Sequence, residues 1–490
     1  MKTVTVVGAS LAGLYAAREL RAQGYDGRLV IIGAEPHFPY DRPPLSKDFL
    51  ANKDFLANKD FLANTDLAAD SDFSANKDLA ANADEAAAAP LGGAAPGGAN
   101  AGGAAPGGAT RGGAIPGGPT PGGVTRGRPL PGQAPLDETT PDEAPLALTD
   151  PDEIAELAAD WLLGVHATAL DPRGRAVHLD DGRTVVTDGV VVATGASARR
   201  LPGPRLAGVH TLRTLDDARA LRAELTRGPR GVVVIGGGFI GAETASTCAA
   251  LGHDVTVVEA APLPLIPQLG PEMAAFCADL HRHGGVRLLT GTGVAGLRHA
   301  AVGGTTGPER VTAVELTDGR LLPADVVVVG IGATPNSGWL TDGALADRDG
   351  VRCDGGCVTS LPQVVAVGDV ARVGGVRAEH WTSATEQPRV AVRNLLAAHT
   401  VETFSALPYF WSDQYGSRIQ FAGHRPADAT VRIAEGSPDS GSFLALYEQA
   451  GQVRAALAVN RPRPFMKVRR RLRAQRSAEP DGTRSARAAP

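Results

Sequence analysis

The sequence predicts an α/β fold that contains two Rossmann-like dinucleotide-binding domains. Two stretches indicate this fold, TVTVVGASLAGLYAARELRAQGYDGRLVIIGAE near the N-terminus and GVVVIGGGFIGAETASTCAALGHDVTVVEAAP near the middle of the chain. Each reads as an apolar strand, a glycine turn, a helix, a second strand and an acidic residue, which is the order of a dinucleotide-binding unit. Two such units suggest one dinucleotide that stays bound and one that exchanges, an arrangement suited to passing a hydride between them.

In the first motif the three fingerprint positions are Gly8, Ser10 and Gly13. Gly8 permits the tight turn, and the middle position lets the backbone approach a pyrophosphate at the helix N-terminus, where free N–H groups favour anions. Glu35 ends the second strand and is placed to accept hydrogen bonds from a ribose. Because Ser10 replaces the usual middle glycine, this motif alone is also compatible with an ordinary strand–turn–helix.

The second motif has glycine at all three fingerprint positions, Gly236, Gly238 and Gly241. Glu259 ends the next strand, where a carboxylate favours a free ribose 2′-hydroxyl and repels a 2′-phosphate. No basic residue follows in AAPLPL. The motif therefore predicts NADH rather than NADPH.

Length and composition set the broad class. The chain has 490 residues with 43% apolar and 21% charged residues, which predicts a globular protein of two or three domains. We expect no membrane span, since no run of eighteen apolar residues occurs, and no secretory signal. Four cysteines are too few for a disulfide framework, so we expect a reduced, cytoplasmic protein. A pI of about 6.1 and the lack of a basic aromatic module argue against nucleic-acid binding.

A low-complexity segment interrupts the α/β pattern. The stretch PPLSKDFLANKDFLANKDFLANTD repeats KDFLAN three times, and a Gly/Pro/Ala-rich tract follows. The tract cannot bury enough surface to offset its ordering, so we predict that residues 53–135 are a disordered insertion on the surface. A hexad β-solenoid remains an alternative, although its copies should then agree in apolar positions rather than in every letter.

Several further motifs occur along the chain, GAEPHFPYDRPPLSK, VVATGASARRLPG, VIGGGFIGAE, VVGIGATPN, AVGDVAR, EHWTSATEQ and PYFWSDQYGSRIQFAG. Together they resemble the FAD-dependent NAD(P)H:ferredoxin reductases, the group that includes rubredoxin, putidaredoxin and dioxygenase-system reductases. The resemblance implies FAD and NADH as cofactors, an FAD domain interrupted by an NAD domain, and a small α/β C-terminal domain. The implied bounds are FAD domain 1–52, 136–210 and 331–402, NAD domain 211–330, C-terminal domain 403–474 and a disordered tail 475–490.

The resemblance also implies roles for single residues. Lys47, which follows YDRPPLS, and Glu243, just inside the second dinucleotide helix, are the implied catalytic pair. A lysine near the flavin stabilises negative charge that develops on reduction. The alternative is that Lys47, like the lysines of the later hexads, is a surface residue. The implied ligands are, for FAD, Glu35 (ribose), Arg42 and Lys47 (phosphates and isoalloxazine), Arg199, Asp369 (ribitol) and Trp381, and, for NAD, Gly238, Glu243, Glu259 and Gly332.

Two details bear on this interpretation. Pro388 follows EQ where the resembled family usually has glycine, inside an expected helix, so we expect disturbed geometry there. Cys353 and Cys357 form CDGGC, which we interpret as two unlinked thiols rather than a redox pair or a metal site, since a metal would need more ligands.

With cysteine chemistry disfavoured, electrons should leave the protein one at a time. The expected acceptor is an acidic iron–sulfur ferredoxin that feeds an oxygenase. The basic stretch KVRRRLR, Lys467 to Arg473, would steer such a partner, or it is only a solvated helix end. Two alternatives remain open, an NADH oxidase or reductase of another acceptor, and a flavin-binding redox sensor or scaffold without turnover.

Overall fold

A computed structural model describes residues 1–51, 146–173, 175–301, 309–340 and 343–477. The described helices and strands all belong to one compact unit. The insertion predicted at residues 53–135 lies outside the described residues.

The described residues form helices and strands that alternate as the motifs predict. The helices are α1 (Leu11–Ala22), α2 (Pro151–Glu156), α3 (Leu215–Leu225), α4 (Phe239–Ala250), α5 (Ile266–His283), α6 (Trp381–Ala397) and α7 (Pro462–Ser477). The strands are β1 (Thr3–Val7), β2 (Arg28–Gly33), β3 (Ala159–Leu163), β4 (Ala167–Asp171), β5 (Ala176–Leu179), β6 (Thr184–Val186), β7 (Gly189–Val192), β8 (Ala196–Ala198), β9 (Val209–His210), β10 (Gly231–Ile235), β11 (Asp254–Glu259), β12 (Arg287–Thr290), β13 (Val294–Ala301), β14 (Glu309–Leu316), β15 (Leu321–Pro323), β16 (Val326–Val329), β17 (Ala333–Pro335), β18 (Ala346–Asp347), β19 (Gly350–Cys353), β20 (Val364–Ala366), β21 (Ala371–Val373), β22 (Val376–Arg377), β23 (Tyr409–Gln414), β24 (Ser417–Gly423), β25 (Thr430–Ser437), β26 (Ser442–Gln449) and β27 (Gln452–Val459).

The first sheet is parallel, with the strand order β20-β7-β1-β2-β3. Alternate residues of each strand enter two different cores. Val6 and Ile31 pack with α1 on one face, whereas Val7 and Ile32 pack on the other. Burial on both faces explains why these strands are continuous apolar runs. The carboxyl ends of β1, β2, β7 and β20 lie at one edge, because Val7 pairs with both Ile32 and Val192.

The second sheet is also parallel, with the order β12-β11-β10-β16-β9. Its strand β9, Val209–His210, ends at the proposed domain boundary at residue 210 and pairs with β16. Strands β8 and β17 form an antiparallel ribbon. The chain passes through this ribbon each time it runs from one of the two parallel sheets to the other. Three smaller sheets have the orders β13-β14-β15, β4-β5-β6 and β18-β19-β21-β22.

The C-terminal sheet is antiparallel, with the order β23-β24-β27-β26-β25 and with β23 at its edge. One hydrophobic core joins this sheet to α5, since Leu269 and Met273 pack with Phe443 and Tyr447. The Tyr447 hydroxyl donates to the Leu269 carbonyl at 2.8 Å. The C-terminal sheet is therefore packed against helix α5, which follows strand β11 of the second parallel sheet.

Helix α6 contradicts the expectation for Pro388. The helix runs without interruption from Trp381 to Ala397, and Pro388 lies buried inside it. Proline removes one N–H donor and crowds the preceding turn, but Ala391 and Leu395 are fully buried in the core that α6 shares with α1. Tertiary packing therefore holds the helix through the proline.

The helix α7 extends to Ser477, past residue 475, where the disordered tail was predicted to begin, and residues 478–490 lie outside the described part. Among the described residues, no helix is both long enough and apolar enough to cross a membrane.

Candidate functional site: two dinucleotide cradles and a buried lysine–glutamate pair

The turn after β1 requires glycine. Gly8 has φ +122°, and a Cβ there would lie 2.1 Å from the carbonyl oxygen of Ala193. A Cβ on Gly13 would lie 1.8 Å from the carbonyl oxygen of Gly8. The turn therefore brings β1, α1 and the end of β7 into backbone contact, which leaves the N-terminus of α1 facing the edge of the sheet.

Arg42 is the centre of a polar network at that edge. Its guanidinium donates to Glu35 Oε1 at 2.6 Å, to the Arg213 carbonyl at 2.6 Å and to the Ser10 hydroxyl at 3.2 Å. The Tyr40 hydroxyl donates to the other Glu35 oxygen at 2.5 Å. Glu35, expected to meet a ribose, thus has both oxygens in contact with protein donors. Ser10 is the N-cap residue of α1, and its side chain bonds to no backbone N–H of the helix.

Asp369 lies in the short helix Gly368–Val370, as expected near a helix start. Its carboxylate accepts a hydrogen bond from Arg213 at 2.7 Å, and Arg213 also donates to the Ala196 carbonyl at 2.9 Å. Sequence analysis missed Arg213. The signal lay in TLRTLDD, where Thr214 and Asp217 form a capping box that starts α3 directly after this arginine.

The second cradle repeats the geometry of the first. A Cβ on Gly236 (φ +102°) would lie 2.3 Å from the Gly330 carbonyl oxygen, and a Cβ on Gly241 would lie 2.0 Å from the Gly236 carbonyl oxygen. Nothing lies within 4 Å of the corresponding point on Gly238, so its backbone is open to a ligand. The Glu259 carboxylate accepts a hydrogen bond from the Gly237 N–H at 2.8 Å. Glu259 therefore stabilises this turn as well as ending strand β11.

Arg199 and Gly332 meet beside the β8–β17 ribbon. The Arg199 N–H donates to the Gly332 carbonyl at 2.9 Å, and its guanidinium donates to the Ala333 carbonyl at 3.1 Å. The Arg199 side chain is exposed on the β8–β17 ribbon. Gly332 has φ +93° with open space at its Cβ position.

Lys47 and Glu243 form a buried pair between the two cradles. Lys47 Nζ lies 3.3 Å from Glu243 Oε1 and 3.1 Å from Asp413 Oδ2, and the exposed fractions of Lys47 and Glu243 are only 14% and 4%. Burial opposes the charge of Lys47, but these two carboxylates outweigh it and raise the pKa of the ammonium. Burial raises the pKa of Glu243, against the effects of Lys47 and two serine hydroxyls.

Glu243 joins three parts of the chain. Its carboxylate accepts from Ser46 Oγ at 2.6 Å, from Ser412 Oγ at 2.7 Å and from the Asp413 N–H at 3.3 Å. One turn later on α4, the Ser246 hydroxyl accepts the Tyr415 N–H at 2.7 Å. Helix α4 therefore covers the free edge of β23, whose N–H groups would otherwise lack sheet partners. The sequence did not indicate these partners of Glu243.

The first hexad serves the fold as well as the site. Lys47 enters the pair with Glu243, while Phe49 and Leu50 are buried in two different cores. Leu146, the first described residue after the gap, packs in the same cluster as Phe49. The described segments that precede and follow residues 52–145 therefore pack in the same hydrophobic cluster.

Trp381 begins α6 beside a set of aromatic rings. Its ring centroid lies 6.5 Å from that of Tyr15 and 6.4 Å from that of Trp411. The Asp41 carboxyl lies near the Trp381 side chain, and its buried Oδ1 has no hydrogen-bond partner among the described residues. Burial raises the pKa of Asp41 to about 6, although Lys47 and Trp381 oppose the shift. Sequence analysis did not single out Asp41.

The raised pKa of Asp41 makes folding stability depend on pH. Its folded-state pKa lies above the ordinary value, so ionisation destabilises the fold as pH rises from about 4 through about 6. Asp41→Asn removes this penalty. We expect the variant to be more stable than the parent by about 3 kcal/mol at pH 7.5 and hardly more stable at pH 4. Urea unfolding of the flavin-loaded proteins at both pH values measures this, with exposed Asp26→Asn as the control, and an equal difference at both pH values would contradict it.

The four cysteines are free thiols. Burial raises the pKa of Cys248, Cys277 and Cys353 to about 12, and that of Cys357 well above its ordinary value. Such thiols are poor nucleophiles at neutral pH. This agrees with the interpretation of CDGGC as two unlinked thiols.

Comparison with known proteins identifies the family. The family model described as pyridine nucleotide-disulphide oxidoreductase matches residues 2–388, and the model described as reductase C-terminal matches residues 409–487. The chain belongs to the pyridine nucleotide-disulphide oxidoreductase family. The predicted family, the fold class of two dinucleotide-binding domains with a C-terminal domain, and the cofactors FAD and NADH are confirmed. The protein is an oxidoreductase.

Three members of this family give the scale of the similarity. The ferredoxin reductase component of a chlorobenzene dioxygenase from Cupriavidus sp. (strain PS12) is 31% identical over 97% of this chain and 94% of its own. The ferredoxin–NAD(+) reductase component of an anthranilate 1,2-dioxygenase system from Burkholderia cepacia is 38% identical over 65% of this chain and 78% of its own. The crystal structure of the covalent putidaredoxin reductase–putidaredoxin complex aligns with TM-score 0.71 and 28% identity over 96% of this chain and 93% of the other.

The residues at the two edges fit the two cofactors of the family. Both cradles have a turn that only glycine fits and a helix N-terminus at the edge of a parallel sheet, which is the place for a pyrophosphate. The first cradle adds the arginines Arg42 and Arg213 for a phosphate-rich ligand, and the second presents the open backbone of Gly238 and the carboxylate Glu259.

Proposed function

We propose that the protein takes a hydride from NADH with FAD as its cofactor and passes single electrons to a ferredoxin-type iron–sulfur protein that feeds an oxygenase. The observation that carries the proposal is the buried Lys47–Glu243 pair between the two dinucleotide cradles. The chlorobenzene and anthranilate relatives, which are ferredoxin reductase components of dioxygenase systems, support the choice of acceptor.

We assign the residues around each cradle to a cofactor. FAD, when bound, accepts two electrons as a hydride and releases them one at a time. NADH would be held on the second cradle by its three glycines with Gly332 and oriented through its ribose by Glu259. FAD would be held by Gly8, Ser10, Gly13, Glu35, Arg42, Arg199, Asp369 and Trp381.

Lys47 and Glu243 have separate tasks in this proposal. The ammonium of Lys47 remains charged, because the two carboxylates beside it raise its pKa. In a site that excludes water, this fixed positive charge would stabilise the negative charge that a neighbouring flavin gains on reduction. Glu243 holds Lys47 in place and connects α4 to β23 and to the turn at Ser46.

The proposed partner is an acidic ferredoxin. Exposed basic side chains on α7 include Arg463, Lys467, Arg470 and Arg471, and the helix contains no acidic residue. The same helix is also structural, because Arg469 is buried with its guanidinium 4.3 Å from the Tyr409 ring centroid. A basic surface of this kind accelerates encounter with an acidic protein at low salt.

An anaerobic titration with NADH, followed by mixing with a ferredoxin, tests the whole proposal. We expect a bound flavin whose visible absorbance is bleached by NADH, faster than by NADPH because Glu259 repels a 2′-phosphate. We expect the ferredoxin then to be reduced rapidly, at a rate that falls as salt rises.

Other results would point elsewhere. Bleaching without ferredoxin reduction, together with fast NADH consumption in air, would favour an NADH oxidase. A bound flavin that NADH cannot bleach would favour a protein without turnover. Ferredoxin reduction that does not change with salt would remove the acidic partner from the proposal.

The insertion and the location complete the proposal. We propose that residues 53–135 are an insertion that the catalytic fold does not need, which is supported by the packing of Phe49 with Leu146 on either side of it. The domain bounds implied by the resemblance belong to the same proposal.

A cytoplasmic location is supported by the four free thiols.

A further inference from the structure

The C-terminal domain contributes a carboxylate to the lysine of the hydride-transfer site. Asp413, on the edge strand β23, lies with Oδ2 3.1 Å from Lys47 Nζ, which is closer than Glu243 Oε1 at 3.3 Å. Lys47 and Asp413 are 366 positions apart in the chain. The side chain of Lys47 is 14% exposed and that of Asp413 is 32% exposed, so the pair is only partly screened by water.

Lys47 is thus held by two carboxylates, Asp413 on β23 and Glu243 on α4, and β23 also fixes the position of Glu243. Asp413 contacts the ammonium directly, while its own N–H and the hydroxyl of Ser412 donate to Glu243. The ring of Trp411 lies 5.9 Å from Lys47 Nζ. Three successive residues of one strand therefore define the surroundings of this ammonium.

Three carboxylates act on the Lys47 ammonium, those of Glu243, Asp413 and Asp41. Glu243 and Asp413 each bring a negative charge against the positive charge of Lys47. The second oxygen of Asp413 lies 3.6 Å from Arg418 on the neighbouring strand β24. Opposite charges at 3–4 Å are weakly screened in a partly buried setting, so removing one carboxylate should change the electrostatic field of Lys47 measurably.

We propose that Asp413 is a positioning residue that holds the Lys47 ammonium and offsets part of its charge, so that the C-terminal domain lowers the reduction potential of the bound flavin. The proposal rests on the proposed function, since it places Lys47 beside the flavin. Its chemical basis is that a flavin gains negative charge on reduction, and a less compensated ammonium favours that change. Asp413 acts through Lys47 rather than on the flavin itself.

The test is the midpoint potential of the bound flavin, measured by anaerobic equilibration with a reference dye. Asp413→Asn keeps the size of the side chain and removes its charge. We expect the equilibrium constant for flavin reduction to rise about tenfold, which is about 30 mV for a two-electron couple. Asp413→Ser, which also lacks the charge, should shift the potential in the same direction. The control is Asp428→Asn, an exposed aspartate of the same domain that accepts from Gln449, and it should leave the potential unchanged.

A double variant separates positioning from a direct effect. In the Lys47→Met background, Asp413→Asn should produce little or no further shift, because the group through which Asp413 acts is gone. An equal shift in both backgrounds would overturn the proposal, as would an unchanged potential in both Asp413 variants. If those variants bind flavin that NADH bleaches but their potentials do not move, the inference fails while the proposed function stands. A parent protein whose flavin NADH cannot bleach would overturn both.

Discussion

Lys47→Met should slow the reduction of the bound flavin by NADH roughly 100-fold, the usual effect of removing one preorganised electrostatic group. Lys47 is nearly buried and faces two carboxylates, so its charge is fixed and weakly screened. Stopped-flow measurement of flavin bleaching under excess NADH gives the rate directly. The matched control is Lys53→Met in the second hexad, which changes the same residue type in the same local sequence. Equal rates in the two variants would contradict the role of Lys47.

The same substitution should also reduce stability. Without Lys47, Glu243 remains buried with its carboxylate in contact with Ser46 and Ser412, and breaking a buried ion pair costs roughly 3 kcal/mol. The double variant Lys47→Met with Glu243→Gln should recover part of this stability but none of the rate. Recovery of the rate would mean that the loss in the single variant came from misfolding rather than from the missing charge.

Gly236→Ala and Gly8→Ala should separate the two cofactor sites. A Cβ at Gly236 would lie 2.3 Å from the Gly330 carbonyl oxygen, so we expect NADH binding to weaken by more than tenfold, at least about 1.4 kcal/mol, while flavin is retained. A Cβ at Gly8 would lie 2.1 Å from the Ala193 carbonyl oxygen, and we expect this variant to be purified with little flavin. The ratio of flavin to protein absorbance and an NADH titration measure the two losses.

The control for both glycine variants is Gly338→Ala. Gly338 is exposed, and nothing lies within 4 Å of its Cβ position, so its substitution should change neither flavin content nor NADH affinity. Gly236→Ala with the parent's NADH titration would contradict the assignment of the second cradle. Flavin loss in Gly236→Ala equal to that in Gly8→Ala would contradict the separation of the sites.

Both cradles could be predicted because each has a constraint that is local in the sequence, beside the distant contacts of Gly8 with Ala193 and of Gly236 with Gly330. The clash that excludes a side chain at Gly13 comes from the carbonyl of Gly8, and the clash at Gly241 comes from Gly236, five residues away in each case. The acidic residue at the end of the next strand is equally close in sequence. A strand, turn and helix of this kind leave a pattern that is readable in any chain that contains them.

The outcome at Pro388 and the position of Arg199 both depend on packing between distant parts of the chain. Pro388 was expected to disturb α6, but the helix continues past Pro388 because it packs in the core that it shares with α1. The exposed side chain of Arg199 lies on the β8–β17 ribbon, where it contacts the backbone next to Gly332. Neither outcome has a signal in the neighbouring sequence.

The amino-acid sequence by itself predicted two dinucleotide cradles and a preference for NADH at the second, and the family resemblance singled out one lysine among the hexads. Only the tertiary structure decided what surrounds that lysine. Asp413 meets Lys47 across 366 positions, and Ser412 meets Glu243 across 169. These contacts depend on how an edge strand of the C-terminal domain docks on helix α4. Turn geometry follows from backbone sterics over a few residues, whereas side-chain contacts between domains follow from the packing of the whole fold.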